Sequence, residues 1–161
     1  MHIAVIARVL GILLMIFSLT MLSPILVAWG FGENTSPTFL LAFVITLLVG
    51  ILFWLPSKDS QGELRTRDGF IVTVFFWLVL STFGALPLML SEAPNLSFMD
   101  ALFESISGLT TTGATVISGL DDLPKSILYY RQQLQWLGGI GIVVIAVAIL
   151  PMLGVGGMQI F

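Results

Sequence analysis

Residues 98–115 read FMDALFESISGLTTTGAT, and this stretch decides how the rest of the chain is interpreted. Its first part has the pattern of a short helix. Its last part combines four threonines with a glycine and carries no charge. Such a segment can expose a row of backbone carbonyls, and carbonyl rows at membrane depth can replace the water around a dehydrated cation. The stretch is therefore compatible with a piece of an ion pathway.

The rest of the chain has the composition of a membrane protein. Of its 161 residues, 57% are hydrophobic and 9% are charged, whereas soluble domains carry about 25% charged residues. Four charge-poor runs, 3–32, 34–57, 69–91 and 132–161, exceed the roughly 20 residues that a helix needs to cross the hydrocarbon core. Only Arg8 interrupts the first run. These runs predict an all-α membrane protein with four crossings.

Residue types that several kinds of chemistry require are missing. The chain has no cysteine, which excludes disulfides and thiolate metal sites, and its one histidine is His2. Neither a Ser-His-Asp triad nor a metal cluster can be built from this set. We expect no enzymatic activity, no organic cofactor and no nucleic-acid partner. The first hydrophobic run is too long for a signal-peptide core of about 7–15 residues and is interpreted as a retained helix.

The charges are distributed unevenly between the two sides of the predicted membrane protein. Four of the six bases lie at the N-terminus or between the second and third runs: Arg8, Lys58, Arg65 and Arg67. The positive-inside rule therefore places the N-terminus in the cytoplasm. Six acids fall on the opposite side: Glu33, Glu92, Asp100, Glu104, Asp121 and Asp122. They would raise the local cation concentration, although ordinary solvated loops would show the same count.

Proline and glycine positions divide the hydrophobic runs into helices. The predicted helices cover residues 3–29, with Pro24 as a possible kink, then 38–55, then 69–90, and a last one that ends near 150, before Pro151. Gly84 and Pro87 are expected to bend the third helix. These positions predict two parts. Residues 1–68 form a two-helix part with a cytoplasmic loop, and residues 69–161 form a helix–loop–helix unit.

Phe98 to Leu109 is predicted to form a helix that cannot span the bilayer. Ser97 and Asp100 have the spacing of a capping box, and twelve residues give a length of about 18 Å. A helix of this size is interfacial or re-entrant. A re-entrant loop implies a pore, because irregular backbone at membrane depth needs protein or water around it. A surface helix with a threonine-rich turn is the alternative, and the residues alone leave both open.

Two segments carry a resemblance to a known family. Residues 107–115, SGLTTTGAT, and 134–141, LQWLGGIG, resemble the Trk/Ktr/HKT superfamily of potassium transporters, and the whole chain is similar to the N-terminal portion of its bacterial TrkH- and TrkG-like branch. In that family four repeats of outer helix, pore helix and inner helix surround one pore. The branch adds two helices before the first repeat. The resemblance implies that this chain is a fragment holding that pair and one repeat.

The resemblance also implies an ion and a set of partners. The transported ion would be K⁺, and the location would be the bacterial inner membrane. The partners would be membrane lipids, the remaining repeats of the same transporter, a second copy in a homodimer and a cytoplasmic nucleotide-binding TrkA-type subunit. Whether transport is channel-like or proton-coupled is left open. A non-transporting membrane protein with a structural re-entrant loop is the alternative function, and a secondary transporter with broken helices is a third.

The family's filter loop can be aligned residue by residue. Against the potassium-channel sequence Thr-Val-Gly-Tyr-Gly, residues 111–115 place Gly113 on the first glycine. Ala114 replaces the tyrosine and Thr115 the second glycine, so preference for K⁺ over Na⁺ is expected to be incomplete. The alignment implies that the carbonyls of Thr111, Thr112 and Gly113 bind the ion. Thr110, Ala114 and Thr115 would support the loop.

Three further features have simpler interpretations than catalysis or phosphate binding. The glycines of residues 138–141 and 154–157 lack the lysine of a phosphate loop and are expected to let helices pack closely. Asp100 and Glu104 lie one helical turn apart, but nothing suggests a substrate pocket beside them. An unpaired arginine near membrane depth is costly. Arg131 is therefore predicted to stabilise the pore loop by pairing with Glu104 or Asp100.

Overall fold

The computed structural model describes residues 3–58 and 66–152, and within these ranges all regular structure is helical. The helices are α1 (Ile3–Thr20), α2 (Ser23–Phe31), α3 (Ser36–Trp54), α4 (Thr66–Gly84), α5 (Leu86–Leu90), α6 (Phe98–Leu109) and α7 (Lys125–Met152), with short 3₁₀ turns at Leu55–Ser57 and Leu120–Asp122. The predicted all-α fold class is confirmed. Most of the predicted cytoplasmic loop, and the glycines at 154–157, lie outside the described residues.

Three helical stretches are long and apolar enough to cross a membrane: Ile3–Phe31, Ser36–Ser57 and Asp68–Leu90. The chain is therefore a multi-pass membrane protein. The fourth predicted crossing falls on α7, whose 28 residues give a length of about 42 Å. It remains a prediction, because the run that suggested it extends beyond the described residues. α7 also includes Pro151, where the sequence predicted its end, a difference within the usual uncertainty of helix boundaries.

The first predicted helix is not continuous, since α1 ends at Thr20 and α2 begins at Ser23. The kink expected at Pro24 is a break three residues earlier. Around it, the Thr20 carbonyl accepts hydrogen bonds from the Ser23 hydroxyl (2.9 Å) and from the Gln133 side-chain amide (2.8 Å). Side chains thus supply donors to a carbonyl at the end of α1, which is what permits a helix break at membrane depth.

The third predicted helix is interrupted near its C-terminal end, where a bend was expected. α4 ends at Gly84 and α5 starts at Leu86. The Gly84 carbonyl accepts a hydrogen bond of 2.8 Å from the hydroxyl of Tyr130, which is fully buried. A Cβ at Gly84 would lie 2.5 Å from the Ser105 hydroxyl. The glycine therefore allows α4 to contact both α6 and α7 at this point.

One hydrophobic core joins the first helices to the later ones. α1 crosses α3 at two glycines, because a Cβ at Gly11 would lie 2.7 Å from the carbonyl oxygen of Gly50. Close approach at small residues is the usual way for helices to pack in membranes. The core cluster includes Phe17 of α1, Phe39 of α3 and Tyr130 of α7. The Phe39 and Tyr130 rings meet edge to face at 5.4 Å.

Candidate pore loop

Helix α6 has the bounds that the sequence predicted, Phe98–Leu109. The Ser97 hydroxyl accepts a hydrogen bond from the Asp100 amide (3.3 Å) and donates one to the Asp100 carboxylate (2.7 Å). One face of the helix is buried, at Ala101, Glu104, Ser105, Ser107, Gly108 and Leu109. The opposite face is exposed, including Met99 at 71%. The helix therefore rests on α4 and α7 and leaves its other side open.

The chain reverses sharply where α6 ends. The Thr111 amide donates to the Gly108 carbonyl (2.9 Å), and the amides of Thr112 and Gly113 both donate to the Ser107 carbonyl (2.9 and 3.3 Å). Thr111 has a φ of 59° and Gly113 a φ of 74°. The left-handed region suits glycine but costs a β-branched residue free energy. A strained threonine beside this glycine marks the segment as a constrained loop rather than a passive turn.

Three carbonyls of this loop have no hydrogen-bond donor among the described residues. Residues 110–116 are all exposed. Over the described parts of the chain, the carbonyl oxygens of Thr111, Thr112 and Gly113 accept no hydrogen bond. The Thr110 hydroxyl, by contrast, donates to the Ile106 carbonyl and lies 2.9 Å from the Thr112 hydroxyl. The loop thus offers three unpartnered carbonyl oxygens next to the negative end of the α6 dipole.

Side chains of α6 hold the far arm of the loop, which is the segment 114–116 after Gly113. The Ser107 hydroxyl donates to the Ala114 carbonyl (2.6 Å). One carboxylate oxygen of Glu104, Oε1, accepts hydrogen bonds from the Thr115 hydroxyl (2.5 Å) and the Val116 amide (2.7 Å). The Ala114 carbonyl is therefore directed into the protein. Ser107 was missed as a candidate from the sequence, although its spacing of three residues places it on the same helix face as Glu104.

Arg131 of α7 binds the other oxygen of the same carboxylate. Its Nε and Nη2 atoms donate to Glu104 Oε2 at 3.0 and 2.8 Å. The Glu104 side chain is 1% exposed and that of Arg131 is 15% exposed. The alternative partner, Asp100, contacts Ser97 instead. Four hydrogen bonds thus satisfy a buried carboxylate, as a buried charge requires.

Helix α7 approaches the loop along one of its faces. A Cβ at Gly138 would lie 2.0 Å from the Leu109 carbonyl oxygen, and a Cβ at Gly108 would lie 3.0 Å from Leu134 Cβ. The Gln135 amide nitrogen is 3.0 Å from the position of a Cβ at Gly113. The close packing predicted for the glycines at 138–141 is confirmed at Gly138, whereas a Cβ at Gly139 would meet nothing within 4 Å.

A small polar cavity separates the loop from α7. Its volume is about 20 Å³, and Glu104, Gly113, Arg131 and Gln135 are among the residues that line it. This volume suffices for about one water molecule. Gln135 was missed as a candidate from the sequence. Its position four residues after Arg131, on the same face of α7, is the signal that could have identified it.

The acids predicted for the outer side do not act as one group. Glu33, Glu92, Asp121 and Asp122 line one open cavity of about 690 Å³, whereas Glu104 is buried in its pair with Arg131. Partial burial raises the pKa of Glu33, but hydrogen bonds from Ser126 and Lys125 outweigh this effect and hold the pKa below its ordinary value of 4.5. The prediction of six acids that attract cations is therefore too simple.

The described residues contain no group of three or more His, Asp or Glu side chains that could hold a metal ion. What the loop offers a cation is therefore backbone oxygen. Such oxygens suit a weakly bound, partly dehydrated ion in transit, because each ion can leave as easily as it enters. The Glu104 carboxylate behind the loop is engaged in four hydrogen bonds.

Comparison with known proteins identifies relatives that match most or all of the chain. A sequence model of the TrkH family, described as a cation transport protein, matches residues 35–161. The Trk system potassium uptake protein TrkH of Halomonas elongata is 60% identical over 161 residues, and TrkH of Escherichia coli K12 is 53% identical. The Escherichia coli protein TrkG is 46% identical over 160 residues.

A solved structure agrees with these relatives. The crystal structure of the potassium transporter TrkH from Vibrio parahaemolyticus superposes with a TM-score of 0.92 and 52% identity, covering 99% of this chain and 34% of that one. The whole of this chain is matched by the two TrkH relatives, but it spans only 33% of their length. Since the family model covers well over half of the chain, the chain belongs to the TrkH family of cation transport proteins, which are transporters and not enzymes.

Proposed function

We propose that this chain takes part in potassium uptake across the bacterial inner membrane and supplies one of four filter loops. The relatives that match it over its whole length are named potassium uptake proteins. The observation that carries the proposal is the exposed row of carbonyls at Thr111, Thr112 and Gly113, which accept no hydrogen bond within the described residues. K⁺ is the cargo of the site, and no organic cofactor is required.

Each residue of the loop has a distinct part in this proposal. The carbonyls of Thr111, Thr112 and Gly113 take the place of water around the ion. The Thr110 hydroxyl restrains the start of the loop, next to the end of α6. The far arm is anchored by Ala114 to Ser107 and by Thr115 to Glu104. With only one glycine in the filter and no tyrosine to brace it, K⁺ is preferred over Na⁺ but not strictly selected.

Arg131 and Glu104 stabilise the loop and do not touch the ion. The contacts that support this role are the paired hydrogen bonds of Arg131 to Oε2 and the hydrogen bonds from the loop to Oε1. Because Arg131 neutralises Glu104, the carboxylate adds little field at the carbonyl row. The oxygen dipoles of the backbone then determine which cation binds.

The remaining assignments follow from the family and the charge pattern. Residues 1–68 are the two-helix N-terminal part and residues 69–161 are the first repeat, with the N-terminus in the cytoplasm. The loop needs the remaining repeats of the same transporter to complete the ring of carbonyls. The assembled transporter is a homodimer in the lipid bilayer and works with a cytoplasmic nucleotide-binding TrkA-type subunit, since its relatives are components of a Trk system.

The decisive experiment replaces Gly113 with alanine in the full-length parent. Alanine is strained at a φ of 74° and would place a Cβ 3.0 Å from the Gln135 amide. We expect potassium uptake to fall, or to lose its preference over sodium, in a strain without its own potassium systems. Gly30→Ala is the control, because its Cβ would meet nothing within 4 Å. Unchanged uptake and selectivity with Gly113→Ala would contradict the assignment of the filter.

A further inference from the structure

The start of α7 lacks a cap from its own segment. The helix begins at Lys125, directly after Pro124, and its first turn contains no acidic residue. The Pro124 carbonyl accepts a hydrogen bond from the Ile127 amide (3.0 Å), but a proline has no side-chain oxygen to accept from the amides of Lys125 and Ser126. Water or another part of the chain has to accept from these two amides.

Glu33, between α2 and α3, supplies that acceptor. Its carboxylate accepts hydrogen bonds from the Lys125 amide (2.5 Å), the Ser126 amide (3.0 Å) and the Ser126 hydroxyl (2.6 Å). The Ser126 hydroxyl also lies 2.7 Å from the hydroxyl of Thr35. A negative charge at a helix N-terminus is favourable. Glu33 therefore acts as an N-cap from a distant segment, and Thr35 adds a second contact.

The backbone around Glu33 is itself fixed by the end of α2. Gly32 has a φ of 69°, its amide donates to the Trp29 carbonyl (3.4 Å), and the Glu33 amide donates to the Ala28 carbonyl (2.8 Å). These two bonds and the left-handed glycine form a Schellman motif. The position of the Glu33 carboxylate is therefore set by the C-terminus of α2 and not by a mobile loop.

Helix α7 joins this cap to the pore loop. Ser126, Tyr130 and Gln133 are spaced so that they lie on one face, and they contact Glu33, Gly84 and Thr20 respectively. Arg131, Leu134, Gln135 and Gly138 lie on the face that meets α6 and the loop. A rigid helix held on one face transmits its position to the other.

We infer that Glu33 is a positioning residue for the filter: by capping α7 it lets the N-terminal helix pair fix the height and rotation of the helix that carries Arg131 and Gln135. The inference rests on the proposed function for its consequence in transport. Its structural part is independent, because it concerns only how the cap at Ser126 and the loop at 111–116 are coupled. The N-terminal helix pair thus holds the filter in position and does not line the ion pathway.

The test compares Glu33→Gln with Glu92→Gln in the full-length transporter. Glu92 is exposed and lines the same outer cavity, but it forms no hydrogen bond among the described contacts, so it controls for the loss of one outer charge. Gly32→Ala is a second variant, since it strains the Schellman motif that positions the carboxylate while Glu33 itself is retained. A Cβ at Gly32 would meet nothing within 4 Å.

Hydrogen exchange gives the structural readout. The amides of Thr112, Gly113 and Val116 are hydrogen-bonded in the loop, and exchange of the segment 107–117 can be followed beside that of 125–128. Losing a cap should raise the local opening constant roughly 2- to 30-fold. Both segments should respond in Glu33→Gln and Gly32→Ala. Faster exchange at 125–128 alone, with the loop unchanged, would mean that the cap is local and would overturn the inference.

Transport gives the functional readout, and it separates the two proposals. We expect Glu33→Gln and Gly32→Ala to reduce the ratio of potassium to sodium uptake at wild-type abundance in the membrane, whereas Glu92→Gln should keep it. Wild-type selectivity in both variants would overturn the inference while leaving the proposed function intact. A wild-type parent without potassium uptake would refute the proposed function, and hydrogen exchange would then decide the positioning role by itself.

Discussion

Replacing Arg131 with methionine removes the cation that neutralises the buried carboxylate behind the loop. Glu104 would keep the hydrogen bonds from Thr115 and Val116 but lose the two from the guanidinium. Breaking a buried ion pair in this way costs about 3–5 kcal/mol. Since the Arg131 side chain is 15% exposed, water can replace part of the interaction. The lower end of the range, about 3 kcal/mol, is therefore expected.

The double variant Glu104→Gln with Arg131→Met tests whether the unpaired charge of Glu104 causes the loss of stability. The glutamine keeps an oxygen for Thr115 and Val116 and removes the uncompensated charge. It should therefore recover part of the loss, with a coupling of about 1–3 kcal/mol. We expect thermal denaturation midpoints in detergent in the order wild type, double variant, Arg131→Met. Potassium uptake in cells should follow the same order.

Two results would contradict this account of the ion pair. A double variant no more stable than Arg131→Met would show that the unpaired charge is not the source of the loss. Wild-type stability and selectivity in Arg131→Met would show that the ion pair does not hold the loop. Asp100→Asn is the matched control, because this carboxylate lies on the same helix and, among the described residues, forms a hydrogen bond only with Ser97. It should change the denaturation midpoint by no more than a lost cap does.

Three other predictions concern Gly138, the pH dependence of the Glu33 cap and the isolated 161 residues. Gly138→Ala should displace α7 from α6, because its Cβ would lie 2.0 Å from the Leu109 carbonyl oxygen. The expected loss of stability is about 1–3 kcal/mol or more. It should appear as a lower denaturation midpoint, with Gly139→Ala as the control. The pKa of Glu33 is depressed in the folded state, so its contribution to stability is complete above about pH 4.5 and is lost as the pH falls below that value. This loss should be absent in Glu33→Gln when denaturation is measured against pH. The 161 residues alone should give no selective potassium flux in liposomes, because one loop supplies a quarter of the carbonyl ring; robust selective flux would show a complete tetrameric subunit instead.

The helices that could be predicted are those whose ends carry a local signal. Ser97 caps α6 through its own side chain, so its start was visible in the sequence. The break between α1 and α2 was not, because the residues at 21 and 22 are Met and Leu, neither of which breaks a helix. What makes the break tolerable is the Gln133 amide donated to the Thr20 carbonyl. That contact depends on tertiary packing.

The same distinction applies to the site. The contact between Arg131 and Glu104 could be anticipated because few carboxylates lie within reach of an arginine near membrane depth. The cap formed by Glu33 could not, since its partner Ser126 is 93 positions away. Pro124 before a long helix is the local sign that an external cap is needed. It does not indicate which segment provides it.

A loop whose carbonyls are kept free for an ion must be held by groups other than its own backbone. An unpartnered carbonyl at membrane depth costs free energy unless water or an ion contacts it, and the left-handed backbone at Thr111 adds to that cost. The stabilisation therefore has to come from behind the loop. Glu104 and Ser107 at buried positions, and Arg131 at a partly buried one, provide it with short hydrogen bonds. Polar residues at helical spacing behind a charge-free loop are consequently what we expect of a filter, and they favour that interpretation over a surface turn of the same composition.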